Sequence, residues 1–122
     1  MEPAVPALAH LRVVLAPGVE IGPGKADLLE AIAETGSISA AGRRMGMSYR
    51  RAWQLVETLN DGFREPLVIA SRGGNAGGGA ALTDAGRTVL EAYREMQRKT
   101  ARVISGEIAS LRALTSDIPD ET

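Results

Sequence analysis

Apolar residues recur at helical spacing through residues 37 to 60, with one interruption. Ala41 and Met45 stand four residues apart and share one face of a first helix. Gly46 follows and can adopt the left-handed conformation that ends a helix. Ser48 is a good N-cap, and the apolar face of a second helix then comprises Ala52, Leu55, Val56 and Leu59. The pattern predicts two short helices joined by a tight turn, which is a helix-turn-helix.

Two further residues indicate how these helices pack. Met47 supplies an apolar side chain inside the turn. Gly42 has no side chain, so it allows the second helix to cross the first closely.

The polar face of the second helix carries side chains that can form hydrogen bonds to DNA bases. At roughly 100° per residue, Arg50, Gln54 and Glu57 fall opposite the apolar face, and Tyr49 and Trp53 fall on a flank. Arginine pairs well with guanine and glutamine with adenine in the major groove. We therefore predict a recognition helix over residues 48–60. A helical hairpin with a merely solvated arginine face is the alternative.

The start of this helix also suits a phosphate group. Free backbone N–H groups, the helix dipole and the Ser48 hydroxyl lie beside Arg50 and Arg51. With the hydroxyls and arginines of the first helix, the predicted DNA-binding residues are Ser37, Ser39, Arg43, Arg44, Ser48, Tyr49, Arg50, Arg51, Trp53 and Gln54.

Upstream, the pattern predicts an arm, a strand and a helix. Residues 1–9 are rich in Ala and Pro, and we expect a flexible arm. The β-branched run 11–15 predicts a short strand, or half of a hairpin with 19–21. Pro23 suits the first turn of a helix that Gly36 ends, with a buried face formed by Leu28, Leu29, Ile32 and Ala33.

Downstream, a strand over 66–70 and another over 80–82 flank a glycine-rich loop. A nucleotide-binding loop is disfavoured because the loop contains no lysine and no helix begins at the right place. We predict a wing over residues 71–80, whose tip can lie close to DNA. Its contacts to the backbone or minor groove would come from Arg72, Gly73 and Gly74.

Thr83 is a plausible N-cap for one long helix over residues 83–114, with Ser105-Gly106 as its weak point. A helix this long has to cover its apolar stripe, so we expect it to pair with a second copy in a homodimer. The acidic residues 115–122 would be frayed. The predicted dimer interface consists of Val89, Tyr93, Met96, Thr100, Val103, Ile104, Ile108 and Leu111.

Composition narrows the class of protein further. The 122 residues carry a net charge of −1, one histidine and no cysteine, so we expect no metal site, no cofactor and no enzyme activity. Residues 35–56 nevertheless contain four arginines and no acid. No apolar run approaches the ~20 residues that span a bilayer. We expect a cytoplasmic protein that has no membrane partner.

Several runs together resemble the DNA-binding domain of ModE-type molybdenum-dependent regulators. These runs are Gly36-Ser37-Ile38-Ser39, Gly46-Met47-Ser48-Tyr49-Arg50-Arg51-Ala52-Trp53, Gly73-Gly74, Gly77-Gly78-Gly79-Ala80 and Leu82-Thr83-Asp84-Ala85-Gly86. The last run is shared with LysR-type regulators, whose winged helix-turn-helix is similar. The resemblance covers about residues 11 to 105. It implies a homodimeric transcription regulator whose recognition helix starts at Ser48 and whose wing is the loop from Gly73 to Gly79.

The resemblance implies that full-length members also carry C-terminal modules that bind molybdate, and we expect no such module within these 122 residues. We also expect no tight molybdate binding, because an oxyanion needs convergent donors in a shielded site. The dense donors here, in residues 37–51 and the wing, are assigned to DNA phosphates and are open to water. Constitutive action, a signal from a partner protein, and an unknown effector bound between the long helices stay open.

The predicted fold is mainly α (α+β), a winged helix-turn-helix domain over residues 10–82 with a long C-terminal dimerisation helix. The predicted function is sequence-specific binding of double-stranded DNA by a homodimer to regulate transcription. The alternative is a winged-helix adaptor that binds another protein and does not bind DNA.

Overall fold

A computed structural model describes residues 10–71 and 79–116. The protein is mainly helical with two small antiparallel hairpins, as predicted. None of the helices within these two ranges is both long and apolar enough to cross a bilayer. The elements in chain order are β1 (Val13–Ala16), β2 (Val19–Ile21), α1 (Pro23–Thr35), α2 (Ile38–Arg44), α3 (Tyr49–Asp61), β3 (Val68–Ser71), β4 (Gly79–Leu82), α4 (Asp84–Val103) and α5 (Ser105–Arg112).

In chain order, one hairpin precedes the first three helices and the other follows them. β1 pairs with β2 through a tight turn in which Gly18 has a φ of 78°. β3 pairs with β4 in a regular register that runs from Val68 opposite Leu82 to Ser71 opposite Gly79. The tip of this second hairpin, residues 72–78, lies outside the described residues, as do the predicted arm 1–9 and residues 117–122 of the tail.

Helix α1 forms the centre of the core. Leu28, Leu29 and Ile32 are fully buried, and α1 contacts α2, α3, α4, β2 and β4. The prediction for Ala33 is wrong, because this residue is exposed while Ala31 is buried. Helix α1 is covered from several sides, so its buried residues do not form the single stripe that the sequence pattern suggested.

The turn between α2 and α3 has the predicted geometry. The Arg51 backbone N–H donates to Ser48 Oγ at 3.0 Å, which confirms the N-cap. Gly46 has a φ of 72°, in the left-handed region. A Cβ added to Gly42 would lie 3.1 Å from the Ala52 Cβ, so the missing side chain allows the close crossing of the two helices.

The long C-terminal segment begins as predicted but is interrupted. The Gly86 backbone N–H donates to Thr83 Oγ1 at 3.0 Å and caps α4. The prediction of one helix over 83–114 is wrong, because the chain leaves helical geometry at Ile104. The break comes directly before Ser105-Gly106, where a serine and a glycine lower helix propensity.

The expectation that Tyr93 faces a second chain is also wrong. The Tyr93 side chain is 0% exposed, and its hydroxyl donates to the Leu11 carbonyl oxygen at 2.7 Å. The first half of α4 packs on α1 of its own chain, so this part of the apolar stripe is already covered. The other predicted interface residues are half-buried or exposed in the protomer: Val89, Met96, Thr100, Val103, Ile104, Ile108 and Leu111.

Candidate nucleic-acid interface

The outer face of α3 is arranged as the helical spacing predicted. Arg50, Gln54 and Glu57 are exposed, and the opposite face is buried against the core. Tyr49 and Trp53 are 57% and 40% exposed on the flank. A cation, an amide, a carboxylate and two aromatic rings therefore share the accessible surface of this helix.

The arginines of α2 and α3 differ in their surroundings. Arg43 donates from Nη1 to Ser39 Oγ at 3.0 Å, and Arg44 forms an ion pair with Glu34 of α1. Within residues 10–71 and 79–116, neither Arg50 nor Arg51 has a side-chain hydrogen bond or an ion pair. As far as the described residues show, the guanidinium donors of these two arginines at the start of α3 are thus available to an external partner.

The predicted serines are found at the ends of the two helices. Ser37 Oγ accepts from the Ala40 backbone N–H at 3.0 Å and caps α2, as Ser48 caps α3. Ser39 is held by Arg43. The predicted wing residues Arg72, Gly73 and Gly74 lie outside the described residues.

A groove of about 210 Å³ separates the flank of α3 from the strands β3 and β4 and the start of α2. Its lining includes Tyr49 and Trp53 of α3, Ile69 of β3, and Ser37 and Ser39. The rings of Tyr49 and Trp53 meet edge to face, with centroids 6.2 Å apart and planes at 79°. This is a favourable geometry for an aromatic pair.

Asn60 joins the end of α3 to the start of β3. Its Oδ1 accepts from the backbone N–H groups of Leu67 and Val68 at 2.8 and 3.0 Å, and its Nδ2 donates to the Val68 carbonyl oxygen at 3.0 Å. Sequence reasoning missed this residue because an asparagine on a helix flank has no local signature. The amide sets the position of the second hairpin relative to α3.

A second contact fixes the other strand of this hairpin. The Ala80 backbone N–H donates to the Gly36 carbonyl oxygen at 2.9 Å, at the corner between α1 and α2. The two strands and the two helices of the candidate interface therefore form one connected unit.

Arg94 of α4 binds two acids of α1. It contacts Asp27 at 2.8 Å and Glu30 at 2.7 Å. Burial disfavours the charged form of Arg94, but the hydrogen bonds to Asp27 and Glu30, together with the attraction of their charges, outweigh it and raise the pKa. Both acids are thereby engaged by α4.

Two helices joined by a tight turn and followed by an antiparallel hairpin define a winged helix-turn-helix protein. The model of the family described as bacterial regulatory helix-turn-helix protein, lysR family, matches residues 25–87. The chain belongs to this family. Membership of a family of regulators agrees with the expectation that the protein is not an enzyme.

The chain is similar to two relatives of named function. The chain is 44% identical over 94 residues to the molybdenum-pterin-binding protein MopB of Rhodobacter capsulatus, covering 77% of this chain and 35% of MopB. It is 36% identical over 90 residues to the DNA-binding transcriptional dual regulator ModE of Escherichia coli K12, covering 71% of this chain and 34% of ModE. The predicted resemblance to ModE-type regulators is confirmed, and the chain spans about a third of the length of these relatives.

A solved structure shows the same fold. The DNA-binding domain of CbnR, determined in complex with DNA, superposes with a TM-score of 0.55 at 24% sequence identity. The match covers 72% of this chain and 95% of that domain.

Proposed function

We propose that this protein is a transcription regulator that binds double-stranded DNA at specific sequences, with α3 in the major groove. The observation that carries the proposal is the pair Arg50 and Arg51, exposed at the start of α3 and without an acidic partner within the described residues. Charges left without a partner on a rigid helix suit an anionic ligand. The names of the ModE relative and of the CbnR complex, which both include DNA, support this reading.

The side chains of α3 divide between two kinds of contact. Arg51, with the first backbone N–H groups of the helix, suits phosphate oxygens, which position a protein on the duplex. Arg50 and Gln54 suit guanine and adenine edges, which carry the sequence information. The wing, including Arg72, Gly73 and Gly74, would contact the backbone or the minor groove. Bacterial DNA lies in the cytoplasm, so we place this function there.

We further propose that the protein acts as a homodimer through α4 and α5. Val103 and Leu111 are 77% and 61% exposed in the protomer, so this apolar surface needs a partner. A symmetric pair would read two half-sites about one helical turn, or a multiple, apart.

Sedimentation at micromolar concentration tests the dimer. The double variant Val103→Glu, Leu111→Glu should be monomeric and bind DNA more weakly. Because both side chains are exposed in the protomer, thermal melting of the variant should still show a cooperative transition. A monomeric wild type would contradict the dimer.

Selection from a library of random duplexes tests DNA binding itself. The purified protein should enrich a defined, roughly palindromic sequence, and fluorescence anisotropy should then show tighter binding to it than to a scrambled duplex. The competing proposal is a winged-helix adaptor for a protein partner, which the exposed aromatic pair on α3 would also suit. Equal, weak binding to every duplex would favour the adaptor.

A further inference from the structure

Three exposed apolar side chains lie together on the surface that carries α3. Tyr49, Trp53 and Ile69 are 57%, 40% and 48% exposed, and all three line the groove between α3 and the strands of the second hairpin. We call them the aromatic patch. A cluster of exposed apolar side chains on an otherwise polar surface marks an interaction site.

The patch lies beside the residues assigned to base edges. Tyr49 and Trp53 are one helical turn apart and directly precede Arg50 and Gln54 in the chain, so the two pairs are offset by roughly 100° around α3. A helix that presents Arg50 and Gln54 to base edges therefore brings the patch against the neighbouring base pair on the side of the second hairpin. Within the patch, only the Tyr49 hydroxyl and the Trp53 indole N–H can form side-chain hydrogen bonds, so the rest of its surface can make only apolar contacts.

The major groove offers one apolar group to such a surface, the 5-methyl group of thymine. We propose that the aromatic patch reads a thymine methyl group and makes the protein prefer thymine at that position. This inference rests on the proposed function, since it assumes that α3 enters the major groove.

The residues that line the groove, and the charges beside it, are compatible with a thymine base of DNA as the ligand. The described lining of the groove includes Ser37 and Ser39 and contains no acidic side chain, so DNA can approach it without charge repulsion. Arg50 and Arg51 add positive charge beside it. A volume of about 210 Å³ accommodates the edge of a base.

The test replaces single thymidines by deoxyuridine in the duplex recovered by selection from the random library. This change removes one methyl group and leaves the base pairing unaltered. At one or more positions in each half-site, the wild-type protein should bind the deoxyuridine duplex about three- to five-fold more weakly, as expected for the loss of one buried methyl group. Fluorescence anisotropy at fixed salt measures each affinity.

Protein variants then show which side chain makes the contact. Trp53→Ala should bind the selected duplex more weakly and should no longer distinguish thymidine from deoxyuridine at the sensitive position. Gln54→Ala is the comparison variant on the same helix. It should also bind the selected duplex more weakly, because Gln54 is assigned to a base edge, but it should keep the full deoxyuridine penalty. Tyr49→Ala is a second variant of the patch, at a more exposed position than Trp53, and is used if the melting temperature of Trp53→Ala falls.

The possible outcomes separate this inference from the proposed function. Tight, specific binding with no effect of deoxyuridine at any position, or a selected sequence without thymine, overturns the inference and leaves the proposed function intact. A deoxyuridine penalty that persists in both Trp53→Ala and Tyr49→Ala places the methyl contact elsewhere and also overturns the inference. Failure to enrich any duplex overturns the proposed function itself.

Discussion

Helices α3 and α4 are both amphipathic and both contain several arginines, but the arginines of the two helices differ in whether they have acidic partners. On α4, three of the four arginines have acidic partners: Arg87 pairs with Asp84, Arg94 with Asp27 and Glu30, and Arg98 with Glu95. Arg102, near the end of α4, has no ion pair within the described residues. On α3, Arg50 and Arg51 have no such partner within the described residues. The number of charged residues alone would not reveal this difference between the two helices.

The difference indicates what each helix does. Side chains of α4 that meet their own chain, such as Tyr93 and Arg94, hold the fold together. Side chains on the outer face of α3 contribute little to the fold and are available to a ligand. Substitutions on α4 should therefore change stability, and substitutions on the outer face of α3 should change DNA binding.

The largest effect on stability is expected for Gly86→Ala. A Cβ at this position would lie 2.2 Å from the Leu67 carbonyl oxygen, so the start of α4 and the backbone before β3 would have to separate. We expect a loss of about 3 kcal/mol in the free energy of unfolding, measured by urea denaturation. Gly106→Ala in α5 is the control, since no atom lies within 4 Å of its added Cβ. Equal stability of the two variants would disprove the close packing at Gly86.

Asn60→Ala should have the next largest effect. The substitution removes three hydrogen bonds and leaves the part-buried N–H groups of Leu67 and Val68 without their acceptor. We expect a loss of about 1–3 kcal/mol by urea denaturation. Asn60→Asp keeps the acceptor and loses the donor, so its loss should be smaller. An alanine variant as stable as the wild type would mean that Asn60 does not hold β3.

Tyr93→Phe should cost about 0.5–1.5 kcal/mol, because it removes the hydrogen bond to the Leu11 carbonyl group. Burial raises the pKa of the Tyr93 phenol, against the opposing effect of Arg94. The unfolded chain ionises this phenol near an ordinary tyrosine pKa of about 10, whereas the folded chain keeps it protonated. The contribution of the hydroxyl is therefore full below that pH and is lost as the pH rises further.

Urea denaturation of wild type and Tyr93→Phe at several pH values tests this pH dependence of the stability. The difference in stability between the two proteins should shrink above pH 10. A difference that stays constant or grows with pH would contradict the buried, protonated phenol.

The smallest effect is expected for Arg44→Ala. Arg44 and Glu34 form a surface ion pair, which contributes about 0.2–1 kcal/mol to stability. Because its guanidinium group is engaged by α1, Arg44 resembles the arginines of α4 more than Arg50. Its substitution should reduce DNA affinity slightly and equally for selected and scrambled duplexes, by fluorescence anisotropy. A loss confined to the selected duplex would assign Arg44 to base reading instead.

The sequence predicted the features that depend on neighbouring residues. The caps at Ser48 and Thr83, the left-handed Gly46 and the exposed pole of α3 all follow from local spacing, and the structure contains them. Each is decided by residues within about one helical turn, so periodicity and capping rules suffice.

The features that sequence reasoning missed depend on distant contacts. The apolar stripe around Tyr93 packs on its own chain, whereas periodicity shows only that a face is apolar and not what covers it. The pairs Arg44 with Glu34 and Arg94 with Glu30 join residues 10 and 64 positions apart, and no local pattern indicates them. Part of the predicted DNA-binding set therefore proves to be engaged within the protein.

We propose that the arginines of α3 contact DNA and that the paired arginines of α4 do not. The most direct test measures binding isotherms of wild type, Arg50→Ala and Arg98→Ala on the selected and scrambled duplexes at one salt concentration. Arg50→Ala should lose about 1–3 kcal/mol on the selected duplex and clearly less on the scrambled one. Arg98→Ala should bind like the wild type. Equal losses for the two variants, or an equal loss of Arg50→Ala on both duplexes, would contradict the claim.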